Sequence, residues 1–355
     1  MMNREPDIKI VAPLYAPHEV EYLIRAGASE LFCGVLENEG GKCFRNSFNT
    51  RGASSANLAN FKELAEVVKR ACARQVKVNF TVNNRFYAPR QFERALEHAE
   101  RACAAGVDAL IVGDVGLLLA LKKHDFFGRA LHVSSVTAVF NSKAALFFRK
   151  LGASRIILPS SISLEEIEEL RAADPQGEYE AFILNRKCHN ITGFCTFQHS
   201  VFTEMRMSPF LFRQGDVLRR SYVTNFLLSR AVEKTKEKIF LESFGCLLPY
   251  SCAAHHAQAD EQATGPRRRL WDADTFLNAC GACAMYRMRR LGVGYVKIIC
   301  RSHTTKRKIK DVRFIRALAD LTNTAQSQED FIEKARGLRR ACYGPHACAD
   351  KYCYY

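Results

Sequence analysis

Hydrophobic and polar positions alternate with two different periods along the first half of the chain. Short runs rich in Val, Ile and Leu predict strands, and between them apolar residues recur at helical spacing. In the segment 58–74, for example, Phe61, Leu64 and Val67 fall on one face of a helix. The repetition of strand and helix is typical of βα units with a parallel sheet. Seven strands are predicted in this half, over residues 9–14, 30–35, 76–82, 109–114, 131–136, 155–159 and 179–184.

An eighth strand is predicted much later, over 294–299, after a helix over 274–291 that Asp272 or Asp274 would cap. Eight βα units match a TIM-like (β/α)8 barrel. A doubly wound open sheet is the alternative, but the first strand lacks the Gly-rich phosphate turn that such a sheet uses to bind dinucleotides. The remaining helices are predicted over 17–26, 58–74, 89–105, 117–123, 142–151, 164–173 and 310–321.

Residues 186–271 interrupt this alternation and follow the seventh strand. Loops that follow barrel strands lie at the carboxyl end of the barrel, where active sites form. We therefore expect a barrel of residues 1–185 plus 272–323, with a Cys-rich insertion over 186–271 that covers its mouth. Residues 324–355 are expected to form a terminal helix and a tail.

Composition favours a globular protein with a full core, since 48% of the 355 residues are hydrophobic. The first residues are charged and lack the apolar segment of a secretory signal. The most apolar stretch, 107–121, contains Asp108 and Asp114, whereas a membrane span needs about 20 mostly apolar residues. We expect no membrane span and a cytoplasmic location.

The net charge of +15 points to anionic partners, and residues 286–310 hold nine Lys or Arg with no Asp or Glu. Such a run can bind RNA phosphates. The alternative is a solvated helix face followed by a basic loop. Within this run only Tyr286 and Tyr295 offer rings on which bases could stack, so aromatic residues add little to the prediction of RNA binding.

Fourteen cysteines in a chain expected to stay reduced indicate metal binding rather than disulfides. Cys188 and Cys195 follow the seventh strand directly, and Cys280 and Cys283 would share one face of the predicted helix. Four thiolates suit zinc or a 4Fe–4S cluster, and the loose spacing of most of these cysteines favours the cluster. Cys246 and Cys252 lie between the two pairs, and the tail adds Cys342, Cys348 and Cys353, which could bind a second metal, close over the first or stay unligated.

Protease motifs are weak. The chain has neither a His-Glu-x-x-His motif nor a Gly-x-Ser-x-Gly elbow. A thiolate nucleophile, such as Cys188 with His189 or His199 as its base, remains open.

Several short motifs occur along the chain. They include Ile-Val-Ala-Pro at 10–13, His-Val-Ser at 132–134, the stretch from Leu151 to Pro159 and Val-Lys-Ile at 296–298. Cys188 and Cys195 form a Cys-x6-Cys pair. Together these motifs resemble the collagenase-like peptidase family U-32, whose Cys-x6-Cys pair matches Cys188 and Cys195 and whose final strand matches residues 296–298.

The resemblance implies a TIM-like barrel that holds a 4Fe–4S cluster, while the cysteines themselves leave zinc as the alternative. The implied ligands are Cys188, Cys195, Cys246 and Cys280, with Cys252 and Cys283 as rivals for the third and fourth positions. Members of the family act in oxygen-independent hydroxylation of a quinone precursor, transfer RNA or ribosomal RNA. Prephenate is implicated as their oxygen donor, and a few members were described as collagen-degrading proteases.

Three hypotheses follow for function: a hydroxylase or its subunit, a peptidase, or a non-catalytic partner that only carries the cluster. Asn83, His132 and Ser134 would line the substrate pocket from strand ends, and Arg301 would hold an anionic donor or an RNA phosphate. The chain departs from the family at Val136, at Ser160-Ser161 and at 299–301. All three departures lie at strand ends facing the mouth. They leave open which substrate the chain binds. They would also be explained if the chain were one subunit of a homologous pair that shares its chemistry.

Overall fold

Eight parallel strands form a closed barrel in the computed structural model, which describes residues 7–36, 48–49, 56–123, 128–185, 187, 278–349 and 352–355. Each strand pairs with the next in sequence, and β8 closes the barrel against β1 with Tyr295 opposite Lys9. The predicted (β/α)8 barrel is confirmed. The strands are β1 Lys9–Pro13, β2 Glu30–Cys33, β3 Lys77–Val82, β4 Ala109–Val112, β5 Ala130–Val133, β6 Arg155–Ile157, β7 Glu178–Leu184 and β8 Tyr295–Ile298.

Helices follow the strands close to their predicted bounds. Polar side chains cap the first turn of several helices. Asn60 accepts a hydrogen bond from the Glu63 N–H at the start of α2. Thr304 caps α8, which begins at Thr305, five residues before the predicted 310. The helices are α1 Val20–Arg25, α2 Phe61–Cys72, α3 Pro89–Ala104, α4 Val115–Lys123, α5 Ser142–Lys150, α6 Leu164–Ala173, α7 Met285–Arg290, α8 Thr305–Leu321 and α9 Gln328–Tyr343.

The predicted helix over 274–291 is wrong around Cys280, which forms β-bridges instead. Cys280 pairs antiparallel with Leu184 at the end of β7 and parallel with Cys353. The Gly281 N–H donates to the Ile183 carbonyl at 2.7 Å, so pairing with the barrel replaces the helical hydrogen bond. Because Cys283 lies in the 3-10 turn Ala282–Ala284, the two cysteines do not share a helix face. The proposed caps, Asp272 and Asp274, lie outside the described residues.

Alternating side chains of the strands build two separate cores. Outward-facing residues such as Phe80 and Leu110 pack under the helices. Inward-facing Val11, Phe32 and Phe182 form a smaller core inside the barrel. The polar groups inside the barrel therefore lie above and below this apolar layer.

The chain divides into two units, residues 1–194 with 274–355, and residues 195–273. All described residues belong to the first unit. Of the predicted insertion over 186–271, the structure describes Lys187 alone. None of the described helices is both long and apolar enough to cross a membrane.

Candidate functional site at the carboxyl end of the barrel

Two of the predicted pocket residues meet at the mouth of the barrel. Asn83 directly follows β3 and Ser134 directly follows β5, and the Asn83 Nδ2 donates to the Ser134 Oγ at 3.3 Å. Gly113, after the strand between them, makes this approach possible. A Cβ there would lie 2.7 Å from the carbonyl oxygens of Asn83 and Asn84. The pair thus offers an amide and a hydroxyl at the carboxyl end of the sheet.

Arg301 lies three residues after the end of β8 and is only 5% exposed. Its Nη1 donates to the Thr81 Oγ1 at 3.2 Å, and the Thr81 hydroxyl donates in turn to the Cys33 carbonyl at 3.0 Å. Gly34 leaves the space for the guanidinium, since a Cβ at Gly34 would lie 2.7 Å from Arg301 Nη1. Arg301, the predicted anion-binding residue, is therefore held at the barrel end by its hydrogen bond to Thr81 and by the space that Gly34 leaves.

A buried ion pair fixes the backbone of Arg301. The Lys308 Nζ donates to the Arg301 carbonyl at 3.1 Å and to the Glu19 Oε2 at 2.6 Å. Both side chains are fully buried, and the ammonium lies 4.1 Å from the centre of the Tyr15 ring. Burial lowers the pKa of Lys308 to about 8, although Glu19 counteracts part of that effect. Sequence patterns did not single out this pair, because its members are 289 positions apart.

Residues 352–355 pack at the carboxyl end of the barrel, one of the positions that the sequence left open for the tail. Tyr354 is 2% exposed and packs in the inner core of the barrel. Its hydroxyl donates to the Asn185 carbonyl, and the Tyr355 hydroxyl donates to the Phe182 carbonyl at 2.8 Å. Both acceptors belong to β7 or the residue after it. The tail thereby brings Cys353 alongside Cys280.

Of the six cysteines predicted as metal ligands or rivals, Cys280 and Cys283 are described. Burial raises the pKa of the Cys280 thiol to about 11, while the charge of Arg339 opposes this shift. Within the described ranges, no group of three or more Cys, His, Asp or Glu side chains is arranged to hold a metal ion. The thiols present are of the type that zinc and iron–sulfur clusters prefer, so the donor chemistry fits either group. The other four predicted ligands and rivals, Cys188, Cys195, Cys246 and Cys252, lie outside the described residues.

His132 lies deeper than expected and does not reach the mouth. It shares the inward face of β5 with Ser134, but two residues along a strand separate the two side chains by about 6.6 Å. The ring borders a cavity of about 440 Å³. The other walls of the cavity include the first residues of six strands: Glu30, Lys77, Ala109, Ala130, Arg155 and Glu178. Burial and the charge of Arg155 hold the pKa of His132 well below its usual value. The imidazole is therefore neutral at the amino end of the barrel.

A buried ionic network lies beside this cavity. Arg155 donates to Glu30 at 2.7 Å and to Glu180 at 3.1 Å, and Lys297 donates to Glu180 at 2.6 Å. Burial alone would raise the pKa of Glu30, but the hydrogen bond and charge of Arg155 bring it below the usual value. Because these buried charges are paired with one another inside the barrel, we assign this end a structural role, which is typical of the amino face of such barrels.

The basic run 286–310 does not form one continuous surface. Lys297 lies inside the barrel and Lys308 is fully buried, each against a carboxylate. On α7, Arg287 pairs with Glu165 and Glu168 of α6 at 2.7 and 2.9 Å. Carboxylates from distant positions in the sequence thus neutralise several of the basic side chains in this run, which itself contains no Asp or Glu.

The Ser160-Ser161 departure leaves small hydroxyls after β6. Ser160 is 4% exposed, and the buried Oγ atoms of both serines have no hydrogen-bond partner in the described structure. Val136, another position where the chain departs from the family, lies in the 3-10 turn Ser135–Thr137. One of its methyl groups lies close to Gly113, since a Cβ added to that glycine would be 2.7 Å from it. These two departures therefore place a methyl-bearing side chain and two hydroxyls, but no charge, after β5 and β6.

Comparison with known proteins shows to which family the sequence is similar. The model of peptidase family U32 matches residues 16–346. The tRNA hydroxylation protein P of Escherichia coli K12 is 37% identical over 90 residues, which cover 25% of this chain and 20% of that protein. The protein of the same name from Helicobacter pylori 26695 is 28% identical over 193 residues, covering 53% of this chain and 42% of the relative.

Two further similarities concern an RNA-modifying enzyme and a solved structure. The 23S rRNA 5-hydroxycytidine C2501 synthase of Escherichia coli K12 is 29% identical over 157 residues, covering 43% of this chain and 22% of the enzyme. The U32 peptidase Mk0906 superimposes with a TM-score of 0.44 at 14% identity, covering 61% of this chain and 85% of that one. The chain therefore spans less than half the length of each of these curated relatives.

Proposed function

The chain belongs to peptidase family U32, and on that basis we propose that it acts in oxygen-independent hydroxylation of a nucleobase in tRNA or rRNA, as the enzyme or as one of its subunits. The observation that carries this proposal is the hydrogen-bonding mouth formed by Asn83, Ser134 and Arg301. The names of two sets of relatives, which refer to hydroxylation of tRNA and of 23S rRNA, support RNA over a quinone precursor.

The chemistry of the mouth suits a planar ring with polar edges. Asn83 offers an amide with both donor and acceptor groups, and Ser134 offers a hydroxyl, which are the groups that read base edges. Proteins that act on a base within RNA bind it unstacked in a pocket, so the end of a barrel is a suitable location. The role of the pair would be to orient the base.

Arg301 provides the positive charge of the mouth. A guanidinium can hold a carboxylate or a phosphate through two parallel hydrogen bonds. Its carbonyl is fixed by Lys308, and its Nη1 already contacts Thr81, so its head group is oriented before a ligand binds. We assign to it the small anionic oxygen donor, such as prephenate, that the family resemblance implies.

The cofactor of this proposal is a 4Fe–4S cluster, with zinc as the runner-up. Cys188, Cys195, Cys246 and Cys280 would hold it, with Cys252 and Cys283 as the rivals. When bound, such a cluster supplies electron transfer at a site lined by thiolates. Cys280 pairs with Leu184 at the end of β7, so this thiol is at the barrel end where the polar residues lie.

Nucleoside analysis in the organism that encodes the chain tests the proposal. Total tRNA and rRNA from a deletion strain would be digested and the hydroxylated nucleosides quantified by mass spectrometry. We expect one hydroxylated nucleoside to disappear, and to return with the wild-type gene but not with Asn83→Ala or Arg301→Met. Arg287→Met, which changes only an exposed ion pair on α7, is the matched control.

An unchanged nucleoside profile in the deletion strain would overturn the RNA proposal. Chelator-sensitive cleavage of peptides by iron-free protein would then favour the peptidase hypothesis. Restoration of hydroxylation by the Asn83→Ala and Arg301→Met variants would instead indicate a non-catalytic partner whose mouth does not bind the base.

A further inference from the structure

Cys353 lies beside Cys280 in a short parallel bridge between residues 352–354 and the segment before α7. The Cys280 N–H donates to the Tyr352 carbonyl at 2.7 Å, and the Tyr354 N–H donates to the Cys280 carbonyl at 3.0 Å. Two backbone bonds on either side of Cys353 thus fix its register against Cys280. Paired residues of neighbouring strands lie about 4.8 Å apart and point their side chains to the same face. The two thiols are therefore close neighbours.

Packing holds this segment against the barrel. Tyr354 is buried in the inner core with Phe32 and Phe182, and its hydroxyl donates to the Asn185 carbonyl. The Lys187 Nζ donates to the carbonyl of Cys353 at 3.2 Å. Although its neighbours Tyr352 and Tyr354 are buried, Cys353 itself is exposed. The segment positions one accessible cysteine at the mouth of the barrel.

We infer that Cys353 binds the same thiophilic metal centre as Cys280. Two thiolates on one zinc ion at 2.3 Å are about 3.8 Å apart, and iron–sulfur clusters are likewise held by cysteine thiolates, so the strand spacing suits both. The family resemblance leaves the third ligand open between Cys246 and Cys252. Cys353 is a further candidate for that position, and the backbone bonds place it beside the fourth ligand, Cys280.

The inference rests on the proposed function only in taking Cys280 as a ligand, and it does not depend on which substrate is hydroxylated. The zinc and iron–sulfur versions differ in metal content but share the same two thiolates. A failure of the RNA experiment would therefore leave this inference standing, whereas a failure of the metal experiment below would leave the nucleoside result intact.

Alkylation of the full chain, purified without oxygen, tests the inference without any mutation. Iodoacetamide would be applied before and after a chelator removes the metal, and each cysteine followed by peptide mass spectrometry. Because a thiolate bound to metal is a poor nucleophile, we expect Cys353 to react at least about tenfold more slowly in the metal-bound protein. Cys72, exposed on α2, is the internal control and should react equally in both states.

Substitution gives a second, independent measurement. We expect Cys353→Ser and Cys280→Ser to lower the metal content per chain or to change the paramagnetic resonance spectrum of the reduced protein. Cys348→Ser, in the same tail, should match the wild type. Circular dichroism would show that each variant is folded.

Two results would overturn the inference. One is an equal alkylation rate for Cys353 and Cys72 in fully metal-loaded protein, together with an unchanged metal content in Cys353→Ser. The other is a chain that holds neither zinc nor iron after anaerobic incubation with zinc alone and with ferrous iron and sulfide.

Discussion

Arg155 and Glu30 join opposite parts of the barrel through two parallel hydrogen bonds. The Arg155 Nη1 lies 2.7 Å from the Glu30 Oε2, and the Nη2 lies 3.0 Å from the Oε1. Both side chains are 3% exposed, and Glu180 accepts a further bond from the same guanidinium. Burial alone would lower the pKa of Arg155, but its carboxylate partners raise the pKa above the usual value. Every charge in this network is compensated inside the barrel.

Replacing Arg155 by Met should destabilise the protein by about 3–5 kcal/mol, because Glu30 and Glu180 would stay buried with less compensation. The free energy of unfolding from urea denaturation measures this loss. The double variant Arg155→Met with Glu30→Gln should recover part of it, since one uncompensated carboxylate is removed. Arg287→Met at the surface is the control and should cost no more than about 1 kcal/mol. A loss at Arg155 as small as that at Arg287 would contradict the structural role of the network.

The strand pattern was predictable from local sequence. Short Val/Ile/Leu runs located all eight strands, and Asn83 and Ser134 directly follow β3 and β5. The distance of His132 from the barrel mouth was not predictable. Alternation along a strand shows which side of the sheet a residue faces, but not how far along the barrel axis it lies.

Interactions between distant positions explain the other differences. Cys280 leaves the predicted helix because it pairs with Leu184 and Cys353, 96 and 73 positions away. Lys308 looked like part of an RNA-binding run, but its partner Glu19 belongs to the first βα loop. Periodicity carries no information on such pairs.

Acid should destabilise the protein partly through His98. The ring packs among Phe48, Phe61 and Phe80, with centroids 4.7, 5.0 and 5.3 Å away, and burial lowers its pKa to about 3. Between pH 6.5 and 3 the unfolded chain binds a proton that the folded one excludes, so stability is lost as the pH falls.

His98→Leu should accordingly reduce the difference in unfolding free energy between pH 7 and pH 5 by about 2 kcal/mol. Urea denaturation at each pH measures the difference. A residual acid sensitivity of the same sign is expected from His132, whose pKa is also lowered. Above pH 7.5 the two proteins should differ by a constant amount. An identical pH dependence for variant and wild type would show that His98 becomes protonated inside the fold.

RNA binding should depend on only part of the basic run. Lys306 is exposed at the start of α8, whereas Lys297 and Lys308 are buried with carboxylates. Removing one phosphate contact to single-stranded RNA changes the slope of log K against log salt by about 0.7. Lys306→Ala should reduce the slope by that amount in binding titrations at several salt concentrations. Lys62→Ala, on the exposed side of α2, is the control. Equal slopes for all three proteins would exclude this part of the run from the RNA interface.

Gly34 offers the sharpest test of the mouth because it separates function from folding. A Cβ there would lie 2.7 Å from Arg301 Nη1, 2.6 Å from Asn49 Nδ2 and 2.7 Å from Asn57 Oδ1. All three atoms are at the ends of side chains, so Gly34→Ala should shift the guanidinium and cost only about 1 kcal/mol in stability.

We expect Gly34→Ala to keep its metal content and circular dichroism while losing most of the hydroxylated nucleoside in the complemented deletion strain. Gly337→Ala is the matched control, since a Cβ at this exposed position of α9 meets nothing within 4 Å. It should leave hydroxylation unchanged and stabilise the helix by about 0.5–1 kcal/mol. Full hydroxylation by Gly34→Ala would show that the position of Arg301 is not needed, and the anionic donor would then have to bind elsewhere.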